Sequence, residues 1–528
     1  MRARLLSPLA KSQNAAVAPT VALSLFGLIA VGGVAFDYAR MATMDTELQA
    51  AADQAALAAA SQLDGKTGTC ERAARAAVNL AANNTLFANE AGGNISITVP
   101  LEITCDATGN VKFWQNKTKT TAATTDANAK FVEVTVNNRQ AFFALTPIVA
   151  ALSSGSIGAT AFAGLGSAIC KVPPVMMCNP NEPGSTSFDG NALRGRGLKL
   201  ITGNADAPGN FGYLDTQAVT GNGTPELKTL LGYDSPPGNC SPTQGVDLKT
   251  GMRVEVMDAL NTRFDIYDSQ NCPQPTGLSG TCSPSYNARK DLVRNNACTT
   301  GGQGWVPSAN PYRPATVAAT GSTPATAAPL ISGYPDMMGY PRDYCHAIKQ
   351  GDQTCGNIGS GGWDRDAYFR VNYGWNDQAT WTSNTGLSST ATRYEVYRWE
   401  LDHPSVSTSS GSRGIGVTQT VGGKTAHGTP ICSSPGITPS ANVVDRRRIS
   451  VAVINCEALG LNGSETGVTV NKWIDVFLVE PSIDRGTGTN KFTERKEVYV
   501  EVIGETASGT AGSTAGQVVR RDVPYLIE

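Results

Sequence analysis

The sequence predicts an α+β protein in which a long N-terminal helix leads to a small α+β domain and then to a large loop-rich, β-rich domain stapled by disulfides. Three observations support this prediction. An uncharged apolar run and an alanine-rich segment follow one another near the N-terminus. Twelve cysteines accompany only three histidines, while 56 glycines and 29 prolines indicate many turns. Apolar, β-branched runs bounded by turn residues return near the C-terminus, as in strands of a sheet.

The length of 528 residues is enough for two or three domains. We expect the layout to be a basic cytoplasmic tail over 1–15, a transmembrane helix over 16–36, an alanine-rich helical extension over 37–64, a small α+β domain over 65–168, and a Cys/Gly/Pro-rich domain over 169–528 that contains C-terminal strands within 446–503.

The membrane anchor is predicted from residues 16–36, which carry no charge. At about 1.5 Å per residue this run spans roughly 30 Å, the thickness of one hydrocarbon core. Arg2, Arg4 and Lys11 precede it and favour a cytoplasmic N-terminus, with the bulk of the chain outside the cytoplasm. The competing hypothesis is a cleaved signal peptide, whose apolar region is normally shorter and ends at a small-residue cleavage site.

The helix is predicted to continue beyond the membrane, because residues 41–63 contain no Gly or Pro and are rich in alanine. A narrow stripe of apolar, mostly small residues recurs at helical spacing: Met44, Leu48, Ala51, Ala52, Ala55 and Ala59. Such a stripe allows close packing, either on a partner helix or on this protein's own small domain. Asp64 and Gly65 supply a natural end to the helix.

Two short motifs in this region resemble a known family. Asp37, Tyr38 and Arg40 follow the apolar run, and Leu48, Gln49, Ala52 and Asp53 lie in the alanine-rich segment. In this order, over about residues 14–64, the sequence resembles the N-terminal region of the TadG-like proteins of the tight-adherence (Tad, Flp pilus) assembly system.

The resemblance implies a single-pass protein of the bacterial inner membrane, with its bulk in the periplasm and a pilin-like small domain on a long helix. It also implies a role in pilus assembly or surface adhesion through contacts with inner-membrane lipid and with other pilus-assembly proteins. The apolar run contains no Glu, so we do not expect processing by a prepilin peptidase. No Asp begins an Asp-x-Ser-x-Ser pattern, so the metal-dependent adhesion site of some relatives is not expected.

The cysteines are even in number and none forms a CxxC pair, which favours disulfides in an oxidising compartment over a structural metal or buried free thiols. We expect Cys70 to pair with Cys105, Cys345 with Cys355, and Cys432 with Cys456. All twelve are candidate disulfide cysteines: Cys70, Cys105, Cys170, Cys178, Cys240, Cys272, Cys282, Cys298, Cys345, Cys355, Cys432 and Cys456.

The small domain is expected to contain a helix over 71–87, strands over 95–101 and 131–136, and a short helix over 142–152. In the large domain, local order is expected at 252–267 and 392–401. Strands at 449–454, 473–479 and 497–503 are expected to form one sheet that packs back on the domain begun near Cys170. The tryptophans between residues 305 and 399 are either the core of this loop-rich domain or a surface that binds glycans or partner proteins.

No motif indicates catalysis, so we predict a protein that is not an enzyme and has no catalytic residue, cofactor or metal. The net charge of -2 also argues against nucleic-acid binding. Cys345 and His346 are the closest approach to a nucleophile–base pair, and Asp364, Arg365 and Asp366 are expected to form a surface turn rather than a calcium site. Two alternatives stay open, a membrane-tethered envelope enzyme such as a glycan hydrolase with unidentified carboxylates, and a structural envelope protein unrelated to pili.

Overall fold

The structure is a computed structural model of the whole chain. The residues that it describes are 17–64, 67–81, 83–84, 96–143, 154–170, 175–201, 206–215, 224–234, 241–242, 245–249, 254–269, 272, 282–318, 320, 326–330, 335–421, 423–426, 428–433, 435–440, 445–461, 465–506 and 519–527.

Helices are few after the N-terminal one. Within the described residues the α-helices are α1 (Val17–Ala60), α2 (Thr69–Ala81), α3 (Thr224–Gly232), α4 (Met257–Asn261), α5 (Arg365–Tyr373), α6 (Gln378–Thr385), α7 (Arg393–Asp402) and α8 (Cys456–Leu459).

Most strands are short. In chain order they are β1 (Asn83–Asn84), β2 (Ser96–Ile97), β3 (Val111–Trp114), β4 (Phe131–Thr135), β5 (Arg139–Phe142), β6 (Ser154–Ile157), β7 (Thr160–Cys170), β8 (Val175–Cys178), β9 (Gly197–Ile201), β10 (Phe211–Asp215), β11 (Ser241–Pro242), β12 (Asp247–Lys249), β13 (Leu292–Arg294), β14 (Trp305–Pro307), β15 (Ala315–Val317), β16 (Thr326–Ala328), β17 (Val406–Thr408), β18 (Gly411–Arg413), β19 (Gln419–Val421), β20 (Lys424–Ala426), β21 (Arg448–Ile454), β22 (Lys472–Leu478), β23 (Glu497–Glu505) and β24 (Val519–Leu526).

The chain divides into two compact units. Unit 1 comprises residues 1–166 and 522–528, and unit 2 comprises residues 167–521. In unit 1 the second half of α1 packs with α2 and with an antiparallel sheet in which β4 lies between β3 and β7. The strand β24, from near the end of the sequence, also pairs with β7. The core is rich in alanine, and these small side chains let the helices and the sheet approach closely.

The predictions for unit 1 are partly confirmed. The helix α2 and the strand β4 are found where expected, but α2 ends at Ala81 and residues 83–84 form a strand, so the predicted extent to residue 87 is wrong. The strand predicted over 95–101 is reduced to β2, because the chain leaves the pairing before Val99, which is nevertheless buried. Phe142 ends β5 rather than beginning a helix, and the rest of that predicted helix lies outside the described residues apart from residue 143.

Unit 2 is organised by a seven-stranded sheet with the order β12-β10-β8-β21-β22-β23-β9. Its pairings are antiparallel except for the central pair, where β8 and β21 run parallel. Every residue of β21 is buried, which explains its continuous apolar sequence around one serine. The prediction that the three C-terminal strands share a sheet and pack on the domain begun near Cys170 is confirmed, since β21, β22 and β23 are neighbours and β21 pairs with β8.

Two helices of unit 2 begin at residues whose side chains cap them. Thr392 and Glu395 form a capping box at the start of α7, which confirms the order predicted over 392–401. The α6 helix begins at an Asp377 N-cap whose carboxylate accepts the N–H of Thr380, and it ends at Gly386, with a φ of 71°. Short helical turns over 254–264 likewise confirm local order in the described part of residues 252–267.

Among the cysteines whose side chains the structure describes, five disulfides are formed: Cys70–Cys105, Cys178–Cys456, Cys272–Cys282, Cys298–Cys432 and Cys345–Cys355. Two predicted pairs are therefore confirmed, and the predicted Cys432–Cys456 pair is wrong. The intervening strand β21 has seven residues and is roughly 23 Å long, so residues that flank its two ends lie far apart. The parallel register instead places Cys178 opposite Ile454, next to Cys456. The side chains of Cys170 and Cys240 lie outside the described residues.

The tryptophans between residues 305 and 399 are buried, which confirms that they belong to the core of the loop-rich domain. Four of them lie in one aromatic cluster with the tyrosines of α5 and α7. The rings pack in offset and edge-to-face pairs, such as Phe369 stacked on Trp381 at a centroid distance of 4.8 Å. This cluster packs the helices of unit 2 against its sheet through Phe477 and Tyr499.

Candidate functional site

The first half of α1 presents an apolar surface to its surroundings. Its large side chains are exposed all round the helix, with Leu23 at 71% and Val31 at 72% exposure. The helix is long and apolar enough to cross a membrane. Because an apolar surface of this length is not stable in water, the geometry fits a transmembrane segment that ends near Phe36.

The second half of α1 has a different environment. Met44, Leu48 and Ala52 are fully buried, and the rest of the predicted stripe is buried with them. These residues belong to the core of unit 1 together with α2 and the sheet. Of the two hypotheses for the stripe, packing on the protein's own small domain is therefore confirmed, and a partner helix at this face is excluded because the face is already occupied.

Enlarging one alanine of this stripe tests the packing. We expect Ala52→Leu to destabilise unit 1 by about 1–3 kcal/mol, since there is no space for three further carbons. The matched control Ala50→Leu, at an exposed position on the same helix, should change stability by less than about 0.5 kcal/mol. Amide hydrogen exchange of β4 and α2 would measure the change in the stability of unit 1 in both variants. Equal protection in the two variants would show that the stripe is loosely packed.

The two motifs of the predicted family resemblance lie on both faces of α1. Asp37 is 2% exposed, whereas its neighbour Tyr38 is 72% exposed at the end of the apolar segment, where tyrosines commonly lie in membrane proteins. Arg40 is partly buried. Gln49 is exposed, and its amide donates to the carboxylate of Asp53 at 2.8 Å. The structure thus brings Leu48 and Ala52 into the core and leaves Tyr38 and Gln49 outside it.

Cys345 and His346 do not form a nucleophile–base pair. The Cys345 sulfur is bonded to Cys355, and His346 is fully buried. Its Nε2 lies 2.8 Å from the carbonyl oxygen of Gly356, which can only accept, so Nε2 carries the proton and Nδ1 accepts from the hydroxyl of Tyr499 at 3.0 Å. Burial lowers the pKa of His346 to about 4, so the ring is neutral and holds loops together.

This histidine gives unit 2 a defined pH dependence. An unfolded chain binds a proton at His346 below about pH 6.5, whereas the folded protein resists it down to about pH 4. Stability should therefore fall as the pH drops through this interval, by about 3 kcal/mol from this group. We expect His346→Gln to flatten this part of the profile measured by urea unfolding at each pH. Parallel profiles for native protein and His346→Gln would contradict the assignment.

The prediction of a surface turn at Asp364, Arg365 and Asp366 is wrong. Asp364 is buried and is the N-cap of α5, where its carboxylate accepts the N–H of Ala367 at 3.0 Å and that of Leu330 at 2.8 Å. Asp366 accepts the indole N–H of Trp381 at 2.8 Å. The carboxylate of Asp364 thus caps the helix α5, and that of Asp366 holds Trp381 in the aromatic cluster. The local sequence does not distinguish this arrangement from a surface loop.

Two groups in the described part of the chain have the composition of a metal site, but both contain a disulfide. One is Cys345, His346 and Cys355, and the other is Cys70, Cys105 and Asp126. A disulfide sulfur carries no thiolate charge and is a poor metal ligand. In the second group the Asp126 carboxylate accepts the N–H groups of Gly68 and Cys70 at the start of α2. Its role there is that of a helix cap.

A network of buried charges in unit 2 has no signal in the sequence. The Glu400 carboxylate accepts from the hydroxyls of Tyr340, Tyr368 and Tyr373 and from the amide of Asn287. The guanidinium of Arg289 forms an ion pair with it at 3.3 Å.

A second part of the network centres on Arg393, which is fully buried. Its guanidinium pairs with the carboxylates of Asp343 and Glu501. A third buried cation, Arg447, donates to the carbonyls of Leu478 and Val479 and lies over four aromatic rings. Charged residues are normally assigned to the surface, so only contacts distant in sequence show that these are core residues.

Comparisons with known proteins bear on α1 alone. Neither the curated proteins nor the solved structures contain a match to the chain. Residues 15–62, which include the apolar segment and the buried stripe, match the family model described as "Putative Flp pilus-assembly TadE/G-like". The N-terminal helix of this chain, from the apolar segment to its end in the core of unit 1, is thus similar to the segment that this TadE/G-like family model describes.

Proposed function

We propose that this protein is a single-pass inner-membrane component of a Flp pilus-assembly system, which acts through protein–protein contacts in the periplasm and not by catalysis. The observation that carries the proposal is α1, a TadE/G-like helix whose first half has the exposed apolar surface of a membrane span. Its second half is the central helix of a folded domain, so unit 1 is rigidly connected to the anchor.

Charge and sulfur chemistry support the proposed compartment. Basic residues precede the apolar segment and no acidic residue does, which favours retention of the N-terminus in the cytoplasm. Disulfides occur in both units. Bridges of this kind persist in the oxidising periplasm and are rare in the cytoplasm. Both arguments support the same orientation, with unit 2 and the part of unit 1 beyond the apolar segment outside the cytoplasm.

The buried carboxylates support a role without catalysis. A catalytic acid needs a free face toward a substrate, whereas the buried acids in the described parts of unit 2 have their oxygens occupied by donors. Asp265, for example, accepts the N–H groups of Ile431, Cys432 and Ser433. A cavity beside Arg289 and Lys290 has a volume of about 10 Å³, enough for about one water molecule.

The test combines gene deletion with a matched pair of anchor variants in the native host. Deletion should abolish or strongly reduce surface pili and attachment, and the native gene should restore both. The variant Leu25→Arg/Leu28→Arg places two charges in the apolar segment, at a cost of about 3 kcal/mol each. The variant protein should be absent from the membrane fraction, and it should not restore pili. The control Ala42→Arg/Thr46→Arg, at exposed positions beyond the apolar segment, should restore them.

Two outcomes would overturn the proposal. Normal pili and attachment after deletion would exclude the pilus role. Digestion by a protease added to intact spheroplasts should remove unit 2 and the part of unit 1 beyond the apolar segment. Protection of both parts would exclude the periplasmic orientation.

A further inference from the structure

The sheet of unit 1 is completed by the last strand of the sequence. The strand β24 pairs with β7, and the N–H of Ile527, just after β24, donates to the carbonyl oxygen of Phe162 at 2.8 Å. After residue 166, the part of the chain that belongs to unit 1 is residues 522–528. The edge of β7 is therefore a site that binds an extended segment through main-chain hydrogen bonds.

Main-chain pairing, more than side-chain burial, holds β24 on this edge. Tyr525 and Leu526 are 40% and 39% exposed, whereas Ala161 and Ala163 of β7 are buried in the core of unit 1. Pro524 lacks an N–H, which suits a strand at the margin of a sheet. Because the side chains of Tyr525 and Leu526 bury little apolar surface, separating β24 from β7 costs much less than opening the core.

The segment before β24 has the composition of a linker. Ten of the twelve residues from 507 to 518 are Gly, Ala, Ser or Thr, and none is charged. A chain of this length spans up to roughly 40 Å when it is extended. It is therefore long enough to deliver β24 to the β7 edge of a neighbouring chain that lies within this distance.

Neighbouring copies in one bilayer present this edge at the same height. The amide of Gln49 donates to the carbonyl oxygen of Thr160, the first residue of β7, at 3.4 Å. Gln49 lies thirteen residues beyond Phe36, which is roughly 20 Å along the axis of α1. Copies anchored by α1 therefore carry their β7 edges at equal distances from the membrane, and this alignment raises the effective concentration of edges for a donated strand.

Exchange of β24 between two copies conserves the contacts of the strand. A second copy has the same C-terminal sequence, so its β24 forms with β7 the same hydrogen bonds that the chain's own strand forms. Only the connection between donor and acceptor changes, which is the condition under which identical subunits swap an element at low cost. The edge of β7 is covered in both arrangements, as a strand edge has to be in a protein that does not aggregate.

We infer that β24 is an exchanged strand, which completes the sheet of unit 1 in a second copy of the protein while that copy's β24 completes the sheet of the first. This exchange rests on the proposed function, because it requires α1 to hold the copies in one bilayer. It adds to that function a partner, which is a second copy of this chain, and an interface, which is the edge of β7.

Photo-cross-linking between two full-length chains tests the exchange in the native host. The chains carry different epitope tags at their N-termini, so that the C-terminus stays free. The donor chain contains Tyr525→p-benzoylphenylalanine, because the side chain at this position of β24 is exposed. A control donor contains Ser61→p-benzoylphenylalanine, at an exposed position just beyond α1. Cells are illuminated, and the products are purified through the tag of the other chain.

We expect illumination to give a species of twice the chain mass that carries both tags and is cross-linked from position 525 to β7 of the other chain. Ile527→Pro in the donor removes the N–H that bonds to Phe162 and should lower the yield of this species several-fold. The matched variant Ile527→Val keeps the N–H and should leave the yield unchanged. The control donor should give no cross-link to β7.

The contrary results separate the exchange from the proposed function. Cross-links confined to single chains, with both chains in the membrane fraction, would show that β24 pairs with its own β7, and would overturn the exchange while leaving the proposed function intact. A species of double mass that Ile527→Pro does not reduce, or whose cross-link lies outside β7, would overturn the exchange as well. Absence of both chains from the membrane fraction would overturn the membrane anchor, and the exchange with it.

Discussion

Replacement of Glu400 by alanine is expected to destabilise unit 2 by about 5 kcal/mol. The substitution removes an acceptor shared by three tyrosine hydroxyls and one amide, and it leaves the buried cation of Arg289 without its ion pair. Burial raises the pKa of Tyr340, Tyr368 and Tyr373 and the nearby Glu400 carboxylate raises them further, so these hydroxyls remain protonated donors.

Urea unfolding followed by tryptophan fluorescence would measure this effect, because every tryptophan except Trp114 lies in unit 2. Asp402→Ala provides the matched control. It removes an exposed carboxylate from the same helix and should change stability by less than about 0.5 kcal/mol. Similar unfolding midpoints for the two variants would show that the Glu400 network contributes little.

Removal of the Cys178–Cys456 disulfide should have an effect of the same order. The bridge closes a loop of 278 residues, for which the loop entropy corresponds to about 5 kcal/mol. It joins the end of β8 to the residues that follow β21, so it fixes the parallel pair at the centre of the sheet. We expect Cys178→Ala/Cys456→Ala to unfold at much lower urea concentration than the native chain.

The bridge Cys345–Cys355 offers an internal comparison, since it closes a loop of only 10 residues. Its removal by Cys345→Ala/Cys355→Ala should cost about 3 kcal/mol on the same loop-length argument. The order of the two effects is the informative result. A larger loss for the short loop would mean that local packing near His346, and not loop entropy, determines what these disulfides contribute.

Periodic segments of this protein are predictable from the sequence, and its polar core is not. The long helix α1 and the strands β21, β22 and β23 follow from composition and hydrophobic pattern, which are local properties. The sequence also predicts the apolar stripe of α1. It does not show whether the stripe packs on this protein's own small domain or on a partner helix. That choice depends on contacts with β4 and α2 that no pattern within the helix encodes.

The errors have a common physical cause. The sequence predicts Asp364 at the surface and gives no signal for Glu400 or Arg447, because an isolated charge is costly to bury. Their cost is offset by donors and acceptors from elements far away in sequence, such as Leu330 for Asp364 and Leu478 for Arg447. The wrong partner for Cys456 arose in the same way, since the parallel pairing of β8 with β21 brings together residues 278 positions apart.

The pairing of β24 with β7 has a consequence for the order of events during synthesis. The helix of unit 1 is the first element to emerge from the ribosome, yet the strand that completes its sheet is made only after all of unit 2 has been translated. Until residues 519–526 have been made, β7 therefore lacks the strand that pairs with it at this edge. Synthesis of the large unit thus precedes completion of the small one, and a chain that stalls before residue 519 would leave this strand edge open.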